Sequence, residues 1–170
     1  MMPENPYDAT LMIIVRQNGA IDQGEVLLSE RPGREIIFPS EKGLKGPLDN
    51  ARRGLREEMG LSVTEGVLLP LVASHYFKFA VDYEDMAGFG RVNAVLFQEL
   101  HDDIVGIENG KDKFFWESME KVMEKLSWNT SKFFWIIALT ELLGQHKVSQ
   151  DFYVAQFNDA PILAQTSYHT

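Results

Sequence analysis

The chain has no cysteine among its 170 residues, which excludes disulfide bonds, thiolate nucleophiles and cysteine-ligated zinc sites. Long apolar runs are also absent. The longest one, FFWIIAL at residues 133–139, is far shorter than the roughly 20 residues that a membrane-spanning helix needs. The first ten residues, MMPENPYDAT, contain no basic patch leading into an apolar run, as a signal peptide would. We therefore expect a soluble cytoplasmic protein with no membrane partner.

Basic residues are outnumbered, with 16 Lys and Arg against 25 Asp and Glu, and the formal net charge is -9. An acidic balance argues against nucleic acid and anionic membranes as partners, because both need a basic surface. A small phosphorylated or nucleotide substrate remains compatible, since a metal ion can mediate its contact. The length fits one domain with one core. We predict a single domain over residues 1–170, with a C-terminal helix and tail over about 130–170.

The pattern of apolar residues predicts both strands and helices. Strands are predicted at residues 9–18, 25–30, 35–38, 67–81, 91–98 and 113–116. Helices are predicted at residues 47–59, 117–126 and 130–143. Two loops separate these elements, a Gly- and Lys-containing one at 40–46 and an acidic one at 82–90 that is either a substrate lid or a connector. The order predicts an α+β fold, an α/β/α sandwich with a mixed central sheet.

The helix at residues 47–59 has the clearest local signals. Pro47 suits a first helical position, where its missing N–H costs nothing, and Gly60 suits the left-handed C-terminal cap. Four apolar residues recur at helical spacing and should pack on the sheet: Leu48, Ala51, Leu55 and Met59. The adjacent Glu57 and Glu58 fall outside that stripe, at about 180° and 280° from Leu48.

Two neighbouring carboxylates on an open helix face repel each other, and a hard divalent cation relieves that repulsion. Arg53 lies one turn before Glu57, so an ion pair between them is geometrically available. The alternative is a solvated pair without a ligand, since Glu-Glu pairs are common on helix surfaces. The surrounding order of strand, Pro-containing loop, Arg, Glu-Glu, Gly and aliphatic residue is much rarer than the pair alone.

This segment resembles the box of the Nudix family, G-x5-E-x7-R-E-U-x-E-E-x-G-U, in which U is aliphatic. The residues that match its second half are Arg53, Leu55, Glu57, Glu58, Gly60 and Leu61. The flanking segments EVLLSERPG, IIFP and FFWESMEKV are also similar to family strands and to the stretch before the final helix. The resemblance covers roughly residues 9–145.

The resemblance implies a Nudix-like sandwich that hydrolyses a nucleoside diphosphate linked to another moiety. It also implies catalytic roles for Arg53, Glu57 and Glu58, with Mg²⁺ or Mn²⁺ held by Glu57 and Glu58. Arg53 would orient the carboxylates, and the metal would neutralise the diphosphate and polarise a water molecule for attack at phosphorus.

The box departs from the family pattern at Gly54, which stands where the R-E pair has its glutamate. In the family that carboxylate is a metal ligand and sometimes the general base. Counted without gaps, the early box Glu becomes Lys45 and the early Gly becomes Pro39, so the loop 40–46 is about two residues short. On the helical wheel position 54 lies at about 240°, between Glu57 and Glu58. Gly54 therefore removes the middle of a three-carboxylate cluster.

A carboxylate from the segment ELHDDIVGIENGKDK is the expected compensation. Glu108 and Asp112 are the best-placed metal ligands, with Asp102 and Asp103 behind them. The alternative for each is a solvated acidic loop. If nothing compensates, the chain is a Nudix fold that binds a nucleotide-like ligand as a sensor or interaction module. A third interpretation is an unrelated α+β domain with a chance Glu-Glu pair.

Candidate substrate-binding residues are Arg34, His75 and Tyr76. Arg34 precedes a short strand and could face a phosphate, or it is ordinary surface charge. His75 and Tyr76 lie in a predicted strand, where they contact substrate or are satisfied by neighbours. The helix at 130–143 is apolar nearly all round, so it is buried in the domain or in a subunit interface. Partial burial at a homodimer contact is the interpretation we favour.

Overall fold

The computed structural model describes residues 7–17, 19–71, 73, 75–78, 89–98 and 112–160. Its strands are β1 (Tyr7–Arg16), β2 (Glu25–Glu30), β3 (Ile36–Ile37), β4 (Ser40–Gly43), β5 (Leu68–Pro70), β6 (His75–Lys78), β7 (Phe89–Phe97) and β8 (Lys113–Ser118). Its helices are α1 (Pro47–Met59), α2 (Val122–Lys125), α3 (Asn129–Gly144) and α4 (Gln150–Asn158). Single 3-10 turns lie at Glu65–Val67 and Met119–Lys121.

Strand β1 organises a mixed sheet. It runs parallel to β7 over eight paired positions, from Tyr7 opposite Gly90 to Ile14 opposite Phe97. Its other edge is shared, because the first half pairs antiparallel with β4 and the end with β2. Strand β2 continues to β3 and β8, and β7 continues to β5 and β6. One parallel pair among antiparallel ones is the mixed sheet that the element order predicted.

Alternating side chains of β1 enter two separate apolar cores. Leu11 and Ile13 join the core that α3 covers, and Met12 and Ile14 join the core that α1 covers. Successive residues of a strand point to opposite faces, so one strand serves both layers. Each fully buried side chain of this size contributes about 1.5–3 kcal/mol. The predicted α/β/α sandwich is confirmed.

Helix α3 is buried within its own domain. Phe134, Trp135 and Leu139 are fully buried in the core on one face of the sheet. The domain therefore accounts for the burial of these three side chains, and the homodimer contact stays a prediction. Within the described residues, none of the helices has both the length and the hydropathy needed to cross a bilayer.

The predicted loop at 40–46 is partly wrong, because its first four residues form strand β4. They pair antiparallel with β1, from Leu11 opposite Ser40 to Asp8 opposite Gly43. The polar sequence SEKG has no strand pattern of its own. The main-chain groups of the β1 edge provide the hydrogen-bonding partners, so this strand depends on a non-local contact.

Other boundaries also differ from the prediction. The strand predicted at 67–81 is two strands, β5 and β6, which pair with different parts of β7. The helix predicted at 117–126 begins later, because Ser118 still pairs with Glu25 as the end of β8. Helix α4 was not predicted, although the hydroxyl of Ser149 caps it by accepting a hydrogen bond from the Phe152 N–H at 3.1 Å.

Candidate active and metal-binding site

Helix α1 has the predicted bounds and its predicted caps. Pro47 is its first residue, and Gly60 follows it with a φ of 67°, the left-handed conformation that glycine adopts easily. The Leu61 N–H then donates to the Leu55 carbonyl at 3.0 Å, which closes the helix end. Glu57 is exposed and Glu58 is half-buried, so both carboxylates lie off the apolar stripe as predicted.

A buried polar network ties α1 to the sheet. Asn50 is fully buried, and its amide donates to the Thr10 hydroxyl at 3.1 Å and to the Asp8 carbonyl at 3.3 Å. The Thr10 hydroxyl donates in turn to Asn93 at 2.7 Å. On the helix side, Arg53 donates to the Asn50 side-chain oxygen at 2.8 Å. Because every link is satisfied, the network fixes how α1 is rotated on the sheet and where Arg53 points.

Arg53 turns toward β4 rather than toward Glu57. Its guanidinium contacts Glu41 at 3.3 Å and Asp49 at 3.9 Å, and donates to the Lys42 carbonyl at 3.0 Å. The predicted helical pair between Arg53 and Glu57 is not among the ion pairs of the described residues. Arg53 points away from Glu57 because strand β4 offers its guanidinium two acceptors, the Glu41 carboxylate and the Lys42 carbonyl.

Glu41 lies against Gly54. A Cβ atom placed on Gly54 would stand 3.1 Å from the Glu41 Cβ, and 2.9 Å from both the sulfur and the terminal carbon of Met12. Both distances are shorter than ordinary van der Waals contact. The Glu41 side chain, 18% exposed, thus borders the space that a side chain at position 54 would need. Sequence reasoning did not single out Glu41, although it is the one acidic residue in the shortened segment 40–46.

Three carboxylates from three elements line one small cleft. Glu41 of β4, Glu58 of α1 and Asp112, which directly precedes β8, border a cavity of about 200 Å³. The sequence predicted Glu58 and Asp112 for one site, and the structure brings them together. Glu57 is exposed nearby, at the outer side of the same helix. Glu108 lies outside the described residues.

Burial and crowding raise the affinity of this cleft for protons. Burial first, and then the charges of Glu41, Asp112 and Glu57 in that order, together raise the pKa of Glu58 to about 7. Burial also raises the pKa of Glu41, and Glu57 adds to that rise, while Arg53 opposes it. Arg31 and Lys42 also line the cleft, yet the carboxyl group of Glu58 still favours its protonated form, which a bound cation would reverse.

The donor set suits a hard divalent cation, because all its ligands are carboxylate oxygens. Over the described part of the chain, however, no three acidic or histidine side chains form a ready chelating group. Ionised carboxylates repel when no cation lies between them, so a wider spacing is the expected geometry without metal. The residues fit Mg²⁺ or Mn²⁺ in chemistry and share one cleft.

A second cavity, of about 390 Å³, adjoins the carboxylate cleft through Arg31, which lines both. Its basic residues are Arg31, Arg34 and Lys113. Arg34 adopts a φ of 64°, unusual for a residue other than glycine. The Arg31 guanidinium also lies 5.4 Å from the ring centre of Trp128, which is 44% exposed. Basic and acidic groups therefore meet at one end of the sheet. Arg34 lies among the basic ones, and its contact with substrate stays a prediction.

The other candidate residues are only partly placed. His75 and Tyr76 lie in β6, opposite Val92 and Arg91 of β7, but their side chains lie outside the described part of the structure. Residues 82–88 of the predicted acidic loop lie outside it as well, and Phe89 and Gly90 already belong to β7. Their substrate contacts and the lid remain predictions.

The same architecture occurs in known structures. A protein from Listeria monocytogenes described as a NUDIX hydrolase matches 82% of this chain and 95% of its own, with a TM-score of 0.60 and 16% identity. The chain has the Nudix fold. An Ap4A hydrolase from C. elegans (TM-score 0.58, 17% identity) matches 81% of this chain and 98% of its own. The NUDIX domain of NrtR from Shewanella oneidensis, solved with ADP ribose, has a TM-score of 0.58 and 13% identity and matches 81% and 88%.

No protein-family model and no curated protein matches the chain. Identities below one fifth show the shared Nudix fold but not a shared substrate. Within that fold, α1 carries the segment that resembles the second half of the Nudix box. In the structure Glu41 of β4 lies beside this segment, and position 54 itself, a glycine, carries no carboxylate.

Proposed function

We propose that the chain is a divalent-metal-dependent hydrolase that cleaves a nucleoside diphosphate linked to another moiety. The observation that carries this proposal is that Arg31 lines both the cleft bordered by the three carboxylates and the cavity that contains Arg34 and Lys113. A diphosphate needs positive charge along its oxygens and a cation at the bond that breaks. Two proteins of similar structure, an Ap4A hydrolase and a NUDIX domain solved with ADP ribose, support a nucleotide substrate.

In this proposal Glu57, Glu58 and Asp112 would hold Mg²⁺ or Mn²⁺, and the cation would supply neutralisation of phosphate charge and a water of lowered pKa. Arg31, Arg34 and Lys113 bind the phosphate oxygens outside the cleft. Arg53 is a positioning residue, because its guanidinium donates hydrogen bonds to Asn50, Lys42 and Glu41.

Proton transfer is assigned to the Glu58 carboxylate oxygen that would not hold the cation. Without a cation, burial and the neighbouring carboxylates raise the pKa of Glu58 to about 7. A bound cation would lower this pKa and keep the carboxylate ionised, as a base that takes the proton of the attacking water must be, and positioned bases contribute about 10²–10⁴ in rate.

The test is a thermal-shift screen of nucleotides and sugar nucleotides with and without Mg²⁺, followed by product analysis on each hit. Wild type should release nucleotide, and Glu58→Gln should lose at least about 10² in kcat. Glu120→Gln is the matched control, because Glu120 is an exposed carboxylate on the turn after β8. Turnover that survives in Glu58→Gln would refute the assignment of Glu58.

A nucleotide sensor is the second candidate. It is favoured by Gly54 and by the lack of a ready chelating group among the described residues. This second candidate would be supported by a nucleotide that stabilises the protein but is not hydrolysed in the presence of any divalent cation. The cytoplasmic location, the homodimer and the single domain over 1–170 stay predictions.

A further inference from the structure

Gly54 is buried on the sheet-facing side of α1. A glycine inside a helix costs roughly 0.5–1 kcal/mol relative to alanine, so its presence needs a local reason. The contacts supply one, because Glu41 and Met12 stand where a side chain at 54 would begin. Two side chains, Met12 of β1 and Glu41 of β4, already fill the space beside Gly54.

Glu41 reaches this place because the segment before α1 is a strand. Its pairing opposite Thr10 holds the Glu41 backbone beside the helix. The Arg53 contact at 3.3 Å then holds the carboxylate itself. The same cavity is lined by Glu58 and Asp112, so Glu41 borders the cleft in which the proposed metal would lie.

We propose that Glu41 and Gly54 are an exchanged pair, in which Glu41 of β4 supplies the carboxylate that the Nudix pattern carries at helix position 54. Glu41 then binds the divalent ion together with Glu58. The inference rests on the proposed function for the metal, whereas the close packing of Glu41 against Gly54 is observed without it.

The competing explanation is that Glu41 serves only to neutralise Arg53. That role would make Glu41→Gln lower the stability by the same amount with and without metal. A ligand role predicts a change in metal affinity in addition. Calorimetric titration with Mn²⁺ and the Mn²⁺-induced shift in Tm separate the two explanations, and neither readout needs a substrate.

The first experiment compares wild type with Glu41→Gln, Glu58→Gln and the control Glu120→Gln. Glu41→Gln and Glu58→Gln should each weaken Mn²⁺ binding by at least about tenfold. The control Glu120→Gln should leave Mn²⁺ binding unchanged. Unchanged Mn²⁺ affinity in Glu41→Gln, with a loss in Glu58→Gln, would overturn the inference and keep the proposed function. No Mn²⁺ binding in wild type would overturn both.

The second experiment exchanges the two residues. Gly54→Glu alone should lower the Tm, because its Cβ meets Glu41 and Met12. Glu41→Gly alone should lose Mn²⁺ affinity. The double variant Glu41→Gly with Gly54→Glu should regain Mn²⁺ affinity to within a few-fold of wild type and be more stable than Gly54→Glu. A double variant that binds Mn²⁺ as weakly as Glu41→Gly contradicts the exchange. If it fails to fold, Glu41→Gln decides the question, since it keeps the shape of the side chain.

Discussion

The raised pKa of Glu58 makes stability depend on pH in a defined direction. An ordinary glutamate in the unfolded chain has a pKa of 4.5, whereas burial raises the pKa of Glu58 to about 7 in the folded protein. Between pH 4.5 and about 7, the folded state therefore keeps a proton on Glu58 that the unfolded state has released. The stability linked to Glu58 is full below about pH 4.5 and is lost as the pH rises through about 7.

The size of the effect follows from the same values. A shift of one pKa unit corresponds to about 1.4 kcal/mol, so the full shift sets an upper limit of about 3 kcal/mol. Glu58 is only half-buried and solvent screens its neighbours, so we expect about 1–3 kcal/mol. Glu41 acts in the same direction, because burial raises its pKa as well.

Urea unfolding at pH 5 and pH 8 measures this loss. Other groups also titrate between these values, so the informative quantity is the difference between wild type and Glu58→Gln. Wild type should lose about 1–3 kcal/mol more of its free energy of unfolding than the variant does. Glu120→Gln, which alters an exposed carboxylate, should follow wild type.

Added Mg²⁺ should reverse the trend if the cleft binds metal. Protons and the cation compete for the same oxygens, so the Mg²⁺-induced rise in Tm should be larger at pH 8 than at pH 5. Parallel pH profiles for wild type and Glu58→Gln would refute the desolvation argument. A Mg²⁺ effect that is equal at both pH values would refute the competition.

Three further predictions concern the surroundings of the cleft. Asn50→Ala should lower the free energy of unfolding by about 1–3 kcal/mol, because it leaves Thr10 and Arg53 without their shared buried partner; urea unfolding measures this, and an unchanged midpoint would contradict the network. Gly54→Ala gains about 1 kcal/mol of helix propensity but crowds Met12 and Glu41, and overpacking of about 1–3 kcal/mol should prevail; a raised Tm would show that these two side chains move aside easily. Arg34→Ala should raise KM for a nucleotide substrate by about tenfold with little change in kcat, as loss of one charged contact does; steady-state kinetics decide it, and an unchanged KM would make Arg34 ordinary surface charge.

Helix α1 shows which structural features the local sequence predicts. Pro47 at its start, Gly60 at its end and the apolar stripe between them are all encoded within one segment, and its bounds were predicted correctly. The strands β1 and β2 carry their own apolar pattern and were found for the same reason. The placement of Glu57 and Glu58 off the stripe follows from the 3.6-residue period.

Contacts between segments far apart in the chain were decided only in three dimensions. Strand β4 has a polar sequence and exists because the edge of β1 needs hydrogen-bonding partners. That strand brings Glu41 beside Gly54 and redirects Arg53 away from Glu57. The link from Asn50 to Thr10 spans 40 residues, so no local period could reveal it. The sequence by itself determined the helix and the carboxylates that it carries. Tertiary structure decided that Glu41 lies beside them. The reason is that β4 forms only on the edge of β1, and the space beside Gly54 is set by residues of other elements.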